Sequence, residues 1–408
     1  MLDSIQLALS GMEGYSAGLR VIAGNTANLS TPGFKGQRPD FAEQFHVAGM
    51  LAGAPGDASR AGGGLTVLAN TTDWRQGELR QTGNDLDLAI DGQGLFVLKK
   101  AGGAQVYTRA GQFQFDASDT LVTRTDGSTV LARGTTGELA PISLAGLRTS
   151  PPRASTAIVF QGNLSSGATT QTIAPINVID SNGATHALVL TATSVVDPNT
   201  PAVTTPDGHV WQLELKDEQG RVVGIDGDGL LRFIGSTVDP ASASRTARFS
   251  PAGAAPMVLT LGFGGDLTNF SAGSTSTMAV KSVDGRAAGS LSKVGFDEKG
   301  VLKLSYSNGA AADGPRLALA QFDSPDAVRA IGNNQFEAAN DLPWVFGGAG
   351  EGQFGKITGG STEVSNVDLS AEFSNLVILQ RGYQSSSQVL STSNEMIQQL
   401  FDQVRRRG

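Results

Sequence analysis

The sequence predicts a mainly β protein with α-helical termini. Paired N- and C-terminal coiled-coil helices, mobile in the monomer, are expected beside two β domains, the outer one inserted into the inner one. Three observations lead there. Apolar residues at both ends recur at alternating steps of three and four, the seam of a coiled coil. The middle is rich in Gly, Thr and Ser and alternates in short apolar runs bounded by turn residues, the pattern of strands. The 408 residues include 53 Gly, with 6% aromatic and 17% charged residues, a balance that favours turns and strands over helix bundles.

The first helix is expected over residues 1–30. Ile5, Ala8, Met12, Tyr15, Leu19, Ile22, Thr26 and Leu29 form its seam, Asp3 or Ser4 would cap it, and Pro32 with Gly33 would stop it. Gly11, Gly14, Gly18 and Gly24 each weaken such a helix by roughly 1 kcal/mol. Residues 31–70 read as a less regular connector, with 48–64 a flexible loop by composition. An inner β domain is expected over 71–147 and 285–364. Within it, 85–100 reads as strand, Asp-Gly turn, strand, and Ser324 would cap a short helix in 324–332. An outer β domain is expected over 148–284, entered through Pro151 and Pro152, which cannot join a central strand. Asp-x-x-Gly recurs at Asp217–Gly220, Asp226–Gly229 and Asp297–Gly300 as hairpin chemistry. The terminal helical domain returns over 365–408. Its seam is Leu369, Phe373, Leu376, Gln380, Tyr383, Ser387, Leu390, Asn394, Ile397, Phe401 and Val404, with Asn366 or Asp368 as cap. Gln380, Ser387 and Asn394 weaken the seam but restrict its register. Such a helix is expected to order fully only when neighbouring subunits surround it.

Several chemistries are excluded or left without support. The net charge of -8 gives no electrostatic footprint for nucleic acid. The absence of cysteine removes disulfides, thiolate metal sites and thiol chemistry. Gly350–Lys356 resembles a phosphate loop but lacks the following Ser or Thr. A calcium loop from Asp226 would place Leu231 and Thr237 where Gly and Glu are needed. His46, His186 and His209 have no metal-ligand spacing. No catalytic, cofactor or metal residue is assigned. No run reaches the ~20 apolar residues of a membrane span, so no membrane insertion is expected. The N-terminus reads as periodic rather than as a cleavable signal.

Three stretches resemble the flagellar rod–hook family of axial proteins. They are Asn25–Lys35, with Asn28, Thr31, Pro32, Gly33 and Phe34; Asp87–Phe96 followed by Tyr107–Phe113; and Ser365–Leu369 followed by Glu372 and Gln380–Gln384. Ser385, Ser386 and Ser387 depart from the family pattern. The chain is long for a rod member, and 148–284 fills the place of the second β domain of the hook branch. The resemblance implies a homopolymer that builds a curved, flexible tube acting as a universal joint between rod and filament. Its implied partners are the distal rod protein, the hook cap protein, the hook–filament junction protein and the flagellar type III export apparatus. The implied location is the extracellular hook, reached without a cleaved signal. Candidate assembly residues are Ile5, Met12, Leu19, Ile22, Asn28, Thr31, Pro32, Gly33, Phe34, Asn366, Leu369, Phe373, Leu376, Gln380, Arg381, Tyr383, Leu390, Asn394, Ile397 and Phe401. The alternatives are a distal rod protein of the same family and a secreted β-rich surface adhesin.

Overall fold

The computed structural model describes residues 2–45, 62–134, 136–195, 209–339 and 342–407. Strands fill the middle, and one long helix stands at each end: α1, Leu2–Ala27, and α2, Leu369–Arg407. The chain divides into two compact units. The first comprises Met1–Ala145, Val294–Leu304 and Ala312–Gly408; the second comprises Gly146–Lys293 and Ser305–Ala311.

In the first unit α1 and α2 pack side by side. Helix α1 begins at Leu2, so Asp3 and Ser4, the expected caps, both lie inside its first turn rather than ahead of it. Residues read as a connector include a long antiparallel hairpin, β1 (Gln37–Phe45) with β2 (Gly62–Thr72). The expected loop over 48–64 therefore ends earlier, because 62–64 open β2; His46 and 48–61 lie outside the described residues. The hairpin was hidden because its strands carry Gly and polar residues and lack strict alternation. It packs on α1: Leu65 meets Gly14, and Phe41 meets Gly18 and, at a ring separation of 6.4 Å, Tyr15.

The β part of this unit is centred on Leu95–Lys99, which pairs with Gln105–Thr108, Thr129–Arg133 and Leu319–Phe322. Leu95, Val97, Tyr107, Leu131, Ala318, Ala320 and Phe336 form a core. Aromatic rings cover it: Trp74 lies 4.7 Å from Phe322 and 4.8 Å from Phe336, and Tyr107 stacks on Trp344 at 3.9 Å. Two local expectations change here. Leu88–Asp91 and Leu95–Lys99 flank the Asp-Gly turn but do not pair. The first pairs with Lys356–Gly359 in a separate sheet. Gly92 and Gly94, at φ of 114° and 122°, let the chain step from one sheet to another, a use of positive φ that sequence cannot tell from a hairpin. The helix expected after Ser324 is one 3₁₀ turn, Pro325–Ala327, followed by the strand Val328–Gly332. Its β-branched and small residues pair with Gln335–Ala338 instead.

The second unit is a twisted sheet that closes on itself. Its path runs from Thr170–Ile179 through Thr185–Val195 to Val210–Lys216 and on to Ala157–Asn163. It returns because Leu230–Ile234 also pairs with Val210–Lys216. Alternate residues point inward, and Trp211, Phe160, Phe263, Leu190 and Leu259 are fully enclosed. Phe160 stacks on Phe263 at 5.0 Å. Asp217–Gly220 makes the expected hairpin: Asp217 Oδ1 accepts from the N–H groups of Gln219 (3.0 Å) and Arg221 (2.8 Å). Asp226–Gly229 does not. The strands flanking it, Val222–Ile225 and Leu230–Ile234, both run along Val210–Lys216, so this turn breaks one edge into two.

Candidate functional site

The helix seam keeps Ala8, Tyr15 and Ile22 of the expected one and moves by one residue at the positions between them. Gly11 faces Ser386, Tyr15 faces Gly382, Gly18 faces Leu379 and Asn25 faces Glu372, an antiparallel order. On α1 the buried positions among the described side chains are Ala8, Gly11, Gly14, Gly18, Ile22 and Asn25, with Gly14 under the hairpin at Leu65; on α2 they are Leu379 and Ser393. The three-four spacing holds, but Gly11, Gly18 and Asn25 replace Met12, Leu19 and Thr26. Likewise Glu372, Leu379, Ser386 and Ser393 replace Phe373, Gln380, Ser387 and Asn394. Close approach is the reason. A Cβ on Gly18 would lie 2.7 Å from Leu379, one on Gly11 2.8 Å from Ser386 Oγ, and one on Gly382 2.6 Å from the Tyr15 ring. Two glycines read from sequence as weak points, Gly11 and Gly18, are where α1 touches α2.

The candidate assembly residues divide accordingly. Ile22 is buried, while Ile5, Met12, Leu19, Leu376, Leu390 and Ile397 are half-buried along the seam. Leu369, Phe373, Gln380, Arg381, Tyr383, Asn394 and Phe401 are exposed. Among the described residues Arg381 makes no ion pair. Phe373 is 54%, Ile378 65% and Phe401 71% exposed, and Val377, Val389, Met396 and Leu400 join them. Soluble helices rarely leave so many large apolar groups in water.

At the root of the helix pair, segments far apart in sequence meet around one buried carboxylate. Glu363 Oε1 accepts from Lys35 Nζ at 2.8 Å and from the Gly77 N–H at 2.8 Å, and its Oε2 accepts from Arg109 Nε. Glu363, Lys35 and Arg109 are all buried. Burial pushes the Lys35 ammonium below the ordinary lysine range, and Glu363 beside it pulls the other way. Lys35 also donates to the Arg75 carbonyl at 2.7 Å. Arg109 completes its fork on the carbonyls of Ile90 (2.7 Å), Gly92 (2.6 Å) and Gly94. A planar guanidinium suits this task, because one side chain reaches the carbonyl of Ile90 at the strand end and those of Gly92 and Gly94 in the turn that follows.

The sharp stop after α1 is built into this clasp. Thr31 Oγ1 donates to Asn28 Oδ1 at 3.0 Å, and Asn334 Nδ2 donates to the Pro32 carbonyl at 2.8 Å. The Gly33 N–H donates to the Glu363 carbonyl at 2.7 Å. At φ +68°, a Cβ on Gly33 would sit 2.6 Å from the Ala110 nitrogen, so glycine is required twice over. The Phe34 carbonyl accepts from the Asn366 N–H at 3.4 Å. Two asparagines act as backbone mimics. Asn25 exchanges both side-chain bonds with the Gln37 backbone, at 2.9 and 2.7 Å, and donates to Glu372 at 2.9 Å. Asn366 accepts from the Gly36 N–H at 2.8 Å and donates to the Asp73 and Arg75 carbonyls at 2.7 and 2.8 Å. Asn366 is therefore not the cap of α2. Asp368 is, accepting from the N–H groups of Ser370 (2.8 Å) and Ala371 (3.3 Å).

Sequence reasoning passed over Glu363, Lys35 and Arg109 as partners, and Asn25 and Leu379 as seam members. For Leu379 a signal existed: the chosen seam took Gln380 beside it, a polar residue preferred over an adjacent leucine. Chemically the arrangement clamps and presents two helices. Among the described residues no group of three or more His, Asp or Glu side chains could hold a metal ion, and no helix is long and apolar enough to cross a membrane.

Comparison with known proteins bears on both halves of this site. Residues 358–402 match the family model described as flagellar basal body rod FlgEFG protein C-terminal, and 89–173 match that of the flagellar hook protein FlgE/F/G D1 domain. The chain is 29% identical over 420 residues to the flagellar hook protein FlgE of Escherichia coli (strain K12), covering 97% of this chain and 98% of that one. It is 29% identical over 466 residues to the flagellar hook protein FlgE of Treponema pallidum (strain Nichols), at 97% and 98% coverage. Among solved structures, the Helicobacter pylori flagellar hook protein FlgE2 has a TM-score of 0.44 at 15% identity, covering 68% of this chain and 98% of that chain.

Proposed function

We infer that this chain is a flagellar hook protein, a structural subunit that self-assembles into the hook and serves motility. Relatives named as flagellar hook protein FlgE align over 97% of the chain, and the matched family segments include most of α2. The observation that carries the assembly reading is the exposed apolar surface of α2. A helix of 39 residues, about 58 Å long, leaves Phe373, Val377, Ile378, Val389, Met396, Leu400 and Phe401 in water. Covering the exposed part of each contributes about 1 kcal/mol or more, and neighbouring copies in a tube would cover them.

The finer reading follows the same line. The helix pairs of many copies form the inner tube, 71–147 with 285–364 the wall, and 148–284 the outer layer. Polar, Gly-rich outer surfaces allow sliding between copies, so the tube bends while torque passes through it as in a universal joint. The distal rod protein, hook cap protein and hook–filament junction protein are the expected neighbours. The flagellar type III apparatus is the expected export route. The role is structural, and no catalytic step is assigned to it.

The test is electron microscopy of basal bodies from cells lacking this gene. Complete rods without hooks are the expected result. Truncated rods would move the protein to the distal rod, and normal hooks would overturn the reading.

A further inference from the structure

Resting on that reading, we propose that copies join head to tail through the two ends of α2: the overhanging C-terminal turns of one copy seat in a groove at the helix root of the next. The antiparallel register brings the first residues of α1 level with Glu395. The turns from Met396 onward therefore have no counterpart on the described part of α1, and Met396, Leu400 and Phe401 stand exposed there. The same segment carries Arg405, Arg406 and Arg407 against a single acid, Asp402.

The complementary surface lies at the other end of the same helix. A groove of about 380 Å³ has an apolar floor that includes Ile22, Phe41 and Leu379. Asp73, Asp368 and Glu372 stand around it with Arg38 and Arg75, leaving one acid in excess. Arg75 and Arg38 both pair with Asp73, at 2.6 and 3.1 Å. An apolar, basic helix end fits a groove with an apolar floor and a mixed rim that carries one acid in excess, where Asp368 and Glu372 lie outside the Asp73 ion pairs. One chain cannot satisfy both. From Asn375, which lines the groove, to Gln403 is about 42 Å of continuous helix. Two different, mutually complementary patches at opposite ends of one helix make a heterologous contact, and such contacts propagate as open filaments when the rotation does not close.

The chain has no cysteine, so introduced thiols report without background. The probe is the double variant Asn375→Cys with Gln403→Cys, assembled and then oxidised. The expected result is a ladder of disulfide-linked chains on a non-reducing gel. Neither single variant alone should give a ladder, and a mixture of the two should give dimers. Tubes that form without a ladder would overturn the head-to-tail contact while leaving the hook reading intact. Failure of the unmodified chain to form tubes would remove both. A second measurement holds if the cysteine pair blocks assembly. Arg405→Glu should raise the critical concentration about tenfold, with α2 helicity unchanged; an unaltered critical concentration would overturn the proposal.

Discussion

The second unit and α2 solve opposite problems with the same kinds of residue. In the closed sheet, Trp211, Phe160, Phe263 and Leu259 are enclosed by their own chain. On α2, Phe373 and Phe401 are mostly in water, and Leu379 and Ser393 are the positions buried by the same chain. The closed sheet encloses most of its large apolar groups, with Val222, Ile234, Val258 and Phe270 left at its surface, whereas α2 leaves most of its own in water, and in the proposed tube a neighbouring copy would cover them. Burial within one chain thus separates residues that hold the fold from those the proposed assembly would use, although both sets are apolar.

Substitutions can break or sharpen this contrast, and the largest effects belong to the enclosed groups. Glu363→Gln leaves Lys35 and Arg109 buried against a neutral partner, so the first unit should lose about 3–5 kcal/mol, measured by chemical denaturation. The second unit's transition should stay put. Trp211→Ala should do the reverse, costing about 3–5 kcal/mol in the second unit and sparing the helix root. Coincident shifts of both transitions would mean that the two units unfold together. Phe373→Asp should change monomer stability by less than about 0.5 kcal/mol yet abolish tube formation in a sedimentation assay. Equal loss of stability would place Phe373 in the fold rather than the interface.

The smallest expected effects test the helix seam and one acid. At Gly24 an added Cβ meets nothing within 4 Å. Gly24→Ala should raise α1 stability by about 0.5–1 kcal/mol, whereas Gly382→Ala should weaken the packing of α2 on α1, because Tyr15 occupies the space. Asp126 titrates at about 2 rather than 3.8: burial raises it, but hydrogen bonds from Thr123, Gln335 and Ser128 outweigh that. A carboxyl depressed on folding adds stability that is present above pH 4 and lost as pH falls through 2. The Tm of the first unit should fall over that window, and Asp126→Asn should flatten the fall.

The mainly β fold with helical termini was legible because helix and strand periods differ and each end keeps its period over many turns. The seam register was not, because it depends on close approach at Gly11, Gly18 and Gly382, and a hydrophobic pattern gives glycine no weight. Apolar spacing instead selected Phe373 and Phe401, which the fold leaves exposed. Stop signals were legible at Pro32 and Gly33, since they act locally. The clasp they serve was not: Glu363 meets Lys35 and Arg109 across 328 and 254 residues of sequence, and nothing local announces such pairs. The hairpin of β1 and β2 escaped notice because α1, rather than its own alternation, supplies its apolar contact.

The most direct test of the central claim is thiol labelling of Phe373→Cys before and after assembly, again on a cysteine-free background. The account predicts rapid labelling of the monomer and protection in the tube. Equal labelling in both states would contradict it.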